Sequence, residues 1–452
     1  MVTQFNKIKS GLSPFNRHFL YINSISNIVG VEIYLNNVTI KIDMVSKSLI
    51  EDFFFRSFEF RGIKRDLKIG ESEKIISIVG PRRAGKTWFF YSILPNYKDP
   101  MYVNFEDIAF RNMQAEEFFE VIKIFIELKY VPKTLFLDEV QVVQNWETLI
   151  RSLYDRGYKI FVTGSSSKLL SREIATSLRG RTFTYNLLPF SFREFLISKN
   201  ENIEVHTYEQ QGRILKLLKE YMDYGSYPEV VFSENKDRIL REYYIEIFYK
   251  DFLERHRIKS IDFGKFLFEF AFQNFSEEMS LRKIKKFFGR NISDSTLYDY
   301  ANKLMDTLSV FFLDKYSPSV YKRNSWPKKI YVCDTGISKI LEHSINIGRK
   351  MENVVYLALL RGVNNNPLRS IYFYKSKVGD EVDFLVKEGS NIDCIQVTYA
   401  SGKDEVDQRE LHALGKVDDE LKCNKKTVIT WDYEEDGNVN FIPLWKWLLR
   451  IC

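Results

Sequence analysis

The run Ile75-Ile76-Ser77-Ile78-Val79 leads directly into Gly80-Pro81-Arg82-Arg83-Ala84-Gly85-Lys86-Thr87, and no other stretch limits the possible folds so sharply. A short β-branched run reads as a buried strand, and Gly-x-x-x-x-Gly-Lys-Thr after it reads as a phosphate loop entering a helix. Gly80 and Gly85 let the backbone curl until successive N–H groups face an anion, at the positive end of a helix beginning near Lys86. Lys86 is expected to reach the β- and γ-phosphates of ATP, and the Thr87 hydroxyl to take a coordination position on Mg²⁺. The expected nucleotide-binding residues are Gly80, Pro81, Arg82, Arg83, Ala84, Gly85, Lys86 and Thr87.

A second apolar run, Thr134-Leu135-Phe136-Leu137, ends in Asp138-Glu139. Parallel strands deliver acidic residues in this way to the switch point of an α/β sheet. Asp138 is the expected Mg²⁺ ligand, usually through water, and Glu139 the group that orients and deprotonates an attacking water. The next run, Lys159-Ile160-Phe161-Val162-Thr163, enters Gly164-Ser165-Ser166-Ser167, and Leu178-Arg179-Gly180-Arg181 follows. Strands near 75–79, 101–105, 134–138, 159–163 and 183–187 alternate with helices, which calls for a doubly wound parallel α/β sheet.

From Val79 to Leu196 the chain resembles the AAA+/STAND-related ATPases common in archaea, a family with a C-terminal endonuclease-like domain. The stretches that carry the resemblance are the phosphate loop, Tyr102-Val103-Asn104-Phe105-Glu106-Asp107, Leu137-Asp138-Glu139, Asn145-Trp146, Thr163-Gly164-Ser165-Ser166-Ser167, Leu178-Arg179-Gly180-Arg181 and Pro189-Phe190-Ser191-Phe192-Arg193-Glu194-Phe195. It extends through Tyr224-Gly225-Ser226-Tyr227-Pro228-Glu229, Lys329 to Gly336 and Glu381-Val382-Asp383-Phe384 to Pro443-Leu444-Trp445. The resemblance implies a γ-phosphate sensor at Ser165 or Ser166. It also implies an arginine finger, Arg179 or Arg181, supplied across a homo-oligomer, and an adenine contact at Pro228.

The expected organisation is an N-terminal extension (1–70), the P-loop ATPase core (71–200), a helical lid (201–258), a winged helix (259–345) and a restriction-endonuclease-like α/β domain (346–452). In the extension, Gly30 to Ile42 reads as a hairpin across Asn36-Asn37, and Phe53-Phe54-Phe55 with Phe58 and Phe60 as a docking face. In the winged region Leu281 to Gly289 is a basic helix, and Ser293 caps a second helix carrying Asp294, Asp299 and Lys303. Carboxylates repel phosphates, so the wing residues Lys322, Arg323, Lys328 and Lys329 are the expected DNA contacts.

The last domain resembles the PD-(D/E)xK nucleases, with Glu352 and Asp383 where two Mg²⁺ ligands belong. Gln396 stands in place of the third acidic ligand and Thr398 in place of the lysine, whose part Lys375, Lys377 or Lys403 is left to play. Glu381 is read as facing away from Asp383. Cleavage of DNA and a nuclease fold retained only for binding both remain open at this point, as does a nucleotide-switched protein scaffold.

A chain of 452 residues is too long for one core. Hydrophobic content of 45% and charged content of 28% are those of an ordinary soluble protein, and 66 Lys+Arg against 60 Asp+Glu permit nucleic-acid contact without demanding it. The four cysteines show no CxxC spacing and call for neither a zinc site nor a disulfide framework, with Cys333 and Cys394 placed in the core. No signal-peptide block and no run of roughly 20 apolar residues is present, so the expectation is a cytoplasmic protein with no membrane segment.

Overall fold

The structure is a computed structural model of the chain and describes residues 31–35, 38–42, 46–165, 180–289, 292–319, 327–341, 346–376 and 378–450, with the backbone alone for 31–42 and 281. The expectations for Ser166, Arg179, Lys322, Arg323 and Lys377 lie outside the described residues. Two compact units are formed, Met1–Glu59 with Pro95–Ile160 and Phe60–Leu94 with Phe161–Cys452. Among the described residues no helix is long and apolar enough to cross a membrane.

Strands β1 (Val31–Leu35) and β2 (Val38–Ile42) are followed by β3 (Ile75–Val79), β4 (Pro100–Asn104), β5 (Thr134–Asp138), β6 (Lys159–Gly164) and β7 (Thr182–Asn186). In the smaller unit β1 and β2 form an antiparallel hairpin, and β4 pairs in parallel with β5, setting Asn104 beside Asp138. The helix Phe118–Leu128 buries Phe118, Val121, Ile122 and Phe125, the spacing of one helical face. Phe54 of the helix Lys47–Phe55 meets Phe125 edge-on at 4.9 Å, and Phe53 meets Phe110 at 4.8 Å. The aromatic run read as a docking face therefore places two of its rings in the core of this unit, and Phe55 stays exposed.

In the larger unit β3 is wholly buried and pairs in parallel with β6 on one side and β7 on the other. Helices Tyr208–Tyr224, Pro228–Phe232 and Lys236–Glu246 follow, the last running into a π-helical stretch, Ile247–Glu254. Next come the helix Ile261–Gln273, β8 (Glu278–Met279), the helices Leu281–Phe288 and Asp294–Asp306, β9 (Val310–Leu313) and β10 (Lys328–Val332). These strands make an antiparallel sheet in the order β8-β10-β9. The helix Ile347–Asn365 leads into β11 (Arg369–Lys375), β12 (Glu381–Glu388), β13 (Asn391–Val397), β14 (Lys425–Thr430) and β15 (Asn440–Pro443). Strands β11, β12 and β13 are antiparallel, while β14 and β15 join β13 in parallel after the helix Gln408–Leu421.

Cys394 of β13 is bonded to Cys423, which corrects the reading of four unpaired cysteines; Cys333 is free and buried. The two partners are 29 residues apart and come together only because β14 returns beside β13, a proximity that no local spacing announces.

Gly225 ends the helix Tyr208–Tyr224 at φ 73°, ψ −161°, a region essentially closed to residues with a Cβ. A Cβ there would lie 1.7 Å from Asp334 Oδ1. Asp334 needs that closeness, because its carboxylate accepts from Ser226 N at 2.6 Å and from Gly336 N at 2.9 Å, capping the helix Thr335–Lys339. Replacing Gly225 by Ala adds backbone strain to an overpacked contact and should cost about 2 kcal/mol or more, read as a lowered melting temperature.

Burial pushes Asp334 up to about 7 despite those donors. The unfolded chain releases this proton near the ordinary carboxylate value, so between that value and about 7 the folded state holds the extra proton and stability falls as pH rises. The melting temperature of the wild type relative to Asp334→Asn should therefore decline as pH is raised from about 4 to 7; a difference independent of pH would contradict the assignment.

Candidate functional site

Between β3 and the helix Lys86–Ile93, Arg83 (φ 68°) and Gly85 (φ 95°) both adopt left-handed conformations. Such turns make successive backbone N–H groups converge on a concave nest. The N-cap of the helix is Gly85, which has no side chain to satisfy the first-turn N–H groups. Lys86 is buried and its Nζ donates to Gly80 O at 3.2 Å and Pro81 O at 3.3 Å, so its cation lies folded over the loop. Gly80 is fixed by packing, since a Cβ there would lie 2.0 Å from Leu187 O. Convergent amides, an uncapped helix start and an ammonium fit a polyphosphate.

Two arginines missed by the sequence reading hold this loop. Arg65 donates from Nη1 to Ala84 O (2.9 Å) and from Nη2 to Leu188 O (2.6 Å), and its Nε lies 3.0 Å from Glu194 Oε1, both side chains being buried. Burial would raise Glu194, but Arg65 and the N–H groups of Asp66 and Ser191 hold it below its ordinary value. Arg255 donates to Ser165 O at 3.1 Å, to Ser165 Oγ at 3.3 Å and to Asp251 Oδ1 at 2.6 Å. Asp251 also accepts from Arg82 Nε at 3.3 Å. The π-helical stretch thus connects the phosphate loop to the tip of β6 through one carboxylate. Arg83 reaches instead to Glu229 and Glu246 at 3.3 and 3.4 Å. Pro228 begins its helix near the loop, its Cγ 3.8 Å from where a Gly85 Cβ would stand.

In the smaller unit Asp138 ends β5, fully buried, and accepts from Tyr102 Oη at 2.9 Å. Glu139 follows at φ 52°, a left-handed conformation uncommon outside glycine, and accepts from Gln141 Nε2 at 2.5 Å. Arg181 precedes β7, its carbonyl accepting from Ile75 N at 2.9 Å, at the end of β3 away from the phosphate loop. Five residues of strand put its backbone roughly 16 Å from its own loop.

A separate cluster lies in the C-terminal half. Lys329 Nζ is 3.0 Å from Glu352 Oε1, 2.7 Å from Glu381 Oε1 and 2.9 Å from Asp383 Oδ1. Burial alone would lower this ammonium's pKa, but Asp383, Glu352 and Glu381 overcome it and raise it well above the ordinary value. Burial, and then the Asp383 charge, push Glu352 up to about 8. Two expectations are corrected here, those for Lys329 and Glu381. Lys329 is a buried counter-ion rather than an exposed phosphate contact, and Lys328 pairs with Asp314 at 2.7 Å. Glu381 shares the face of Asp383, as residues two apart on a strand must. Gln396 Oε1 accepts from Asp383 N at 3.3 Å, and Lys403 pairs with Glu435. Lys375 stands at the cluster's edge, 3.2 Å from Glu381 and 2.8 Å from Glu278. Among the described residues no group of acidic, histidine or cysteine side chains is arranged to hold a metal ion.

Comparison with known proteins finds that residues 72–196 match the model of an AAA domain. Residues 215–348 and 347–447 match two domains of unknown function, DUF8612 and DUF4143. The uncharacterized protein MJ1544 of Methanocaldococcus jannaschii is 36% identical over 448 residues, covering 94% of this chain and 99% of its own. An uncharacterized protein of Haemophilus influenzae is 26% identical over 415 residues, covering 85% and 96%. The crystal structure of Cdc6p from Pyrobaculum aerophilum aligns over 65% of this chain and 88% of its own at 11% identity, with a TM-score of 0.26. The AAA-domain match supports a nucleotide-binding, ATPase-type core over residues 72–196.

Removing Arg65 strands a buried carboxylate and frees the loop carbonyl of Ala84. Arg65→Met should therefore destabilise the chain by roughly 3 kcal/mol or more, while Arg65→Met with Glu194→Gln should regain part of the loss. Urea denaturation of both variants checks this.

Proposed function

The chain belongs to the family of the archaeal protein MJ1544, and we propose that it is a Mg²⁺-dependent ATPase acting on DNA through its C-terminal half. The observation that carries the reading is the loop between β3 and its helix, where left-handed Arg83 and Gly85, an uncapped helix start and Lys86 assemble one anion cradle. Lys86 exchanges the Gly80 and Pro81 carbonyls for phosphate oxygens, and Thr87 and Asp138 serve as the metal ligands. Bound Mg²⁺ supplies neutralisation of the β- and γ-phosphate charge. Glu139 orients and deprotonates the attacking water, Pro228 borders adenine, and Ser165 reports on the γ-phosphate.

Arg255, already bonded to Ser165, is the cation within the chain placed to follow that report. Arg181, at the far end of β3, or Arg179 acts as the finger toward another copy in a homo-oligomer. In the C-terminal half, the order of three helices and the β8-β10-β9 sheet supports a winged helix. The helix-led sheet β11 to β15 supports a restriction-endonuclease-like fold. Asp294 pairs with Lys285 and Asp299 with Lys303 at 2.7 Å, which quiets the carboxylates expected to repel DNA. Arg282, Lys283 and Lys286 on the helix Leu281–Phe288 are exposed and are the DNA contacts we favour.

ATP hydrolysis measured with and without duplex and single-stranded DNA tests the reading. Glu139→Gln should lower kcat by about 10² or more while nucleotide still binds, and Lys86→Ala should abolish binding. Replacing Arg282, Lys283 and Lys286 by Ala should remove DNA stimulation and flatten its salt dependence. Full turnover by Glu139→Gln would overturn the hydrolytic assignment. An ATPase indifferent to every DNA would leave a nucleotide-switched protein scaffold as the better reading.

A further inference from the structure

Lys329 and the three carboxylates around it come from different elements. Lys329 is the second residue of β10, in the β8-β10-β9 sheet; Glu352 lies on the helix Ile347–Asn365; Glu381 and Asp383 lie on β12. The ammonium is therefore delivered into the C-terminal α/β domain from outside that domain's own sheet. Its surroundings are closed by further donors. Tyr331 Oη donates to Glu352 Oε1 at 2.6 Å, Val397 N donates to Asp383 Oδ2 at 3.0 Å, and Lys375 reaches the second oxygen of Glu381 at 3.2 Å.

A divalent ion binding these carboxylates would need oxygens at about 2.0–2.6 Å around a centre now held by Nζ. Two cations cannot share that position, because at such separations their repulsion in a buried site far exceeds what the ligands return. The residues that match the nuclease pattern therefore do not fit a metal as the chain is folded.

We propose that Lys329 is a built-in counter-ion that takes the place of a divalent metal, so that Glu352, Glu381 and Asp383 fasten the β8-β10-β9 sheet to the C-terminal domain instead of binding a catalytic ion. The domain is metal-free for as long as the Lys329 ammonium stays seated, and any metal-dependent cleavage requires that ammonium to withdraw. This inference is independent of the ATPase assignment.

The test is Mn²⁺ binding by the full, nucleotide-free chain, followed by the loss of the free-ion electron paramagnetic resonance signal. Wild type and Asp383→Asn should bind the same amount of Mn²⁺. Lys329→Met should gain one Mn²⁺ per chain, and Lys329→Met with Asp383→Asn should lose it again. A wild type that binds one ion more than Asp383→Asn overturns the proposal, as does a folded Lys329→Met variant that gains none. If Lys329→Met does not fold, the comparison of wild type with Asp383→Asn still decides, since it needs no change at Lys329.

Discussion

A cation taken out of water costs several kcal/mol unless anions are taken with it, and Arg65, Lys329 and Lys350 in the larger unit are such cations. Arg65 meets Glu194 beside the phosphate loop, Lys350 meets Asp223 of the helix Tyr208–Tyr224 at 3.2 Å, and Lys329 meets three carboxylates. Each pairing joins segments far apart in the chain, and each would leave a stranded charge if its segments parted. The ion pairs add little net stability over well-packed apolar residues, but they penalise every arrangement that separates the partners. Position, more than stability, is what they supply to the loop and to the C-terminal domain.

The loop shows what such positioning achieves. Its own residues supply the curl, but the carbonyl of Ala84 is held by Arg65 and the guanidinium of Arg82 by Asp251. Asp251 also holds Arg255, and Arg255 holds Ser165. The loop, the π-helical stretch and the tip of β6 are thereby joined through one chain of charged groups. Single π-turns inside helices often mark such places, because the extra residue per turn re-aims side chains that an α-helix would direct elsewhere.

The C-terminal cluster shows how carboxylates of a helix and a strand can be gathered on one ammonium. Glu352, Glu381 and Asp383 converge on the ammonium of Lys329, and Lys375 at the edge of the cluster offsets a further part of their charge. Glu410 nearby is pushed up to about 7, first by burial and then by the Asp383 charge, while Asp383, Glu352 and Glu381 are the groups that hold Lys329 charged. The same acidic residues that would bind a metal in an open pocket become the socket for a neighbouring sheet when a lysine reaches them first.

What the sequence determined by itself is local. The strand before the phosphate loop, the loop's glycines and the strands at 100–104, 134–138 and 159–164 were legible because β-branched runs and Gly-Lys-Thr act over a few residues, and each observed strand lies within a residue of its expected bounds. Tertiary structure alone decided where the charges went. Lys329 read as a surface wing residue because, of its carboxylate partners, Glu352 lies 23 residues away and Asp383 54. Glu381 was misplaced by a face assignment that the two-residue period of a strand already forbids. Arg65, Arg255 and the Cys394–Cys423 bond left no local mark, because a guanidinium or a thiol is chosen by what packs against it after the chain has returned on itself, and periodicity carries no record of that return.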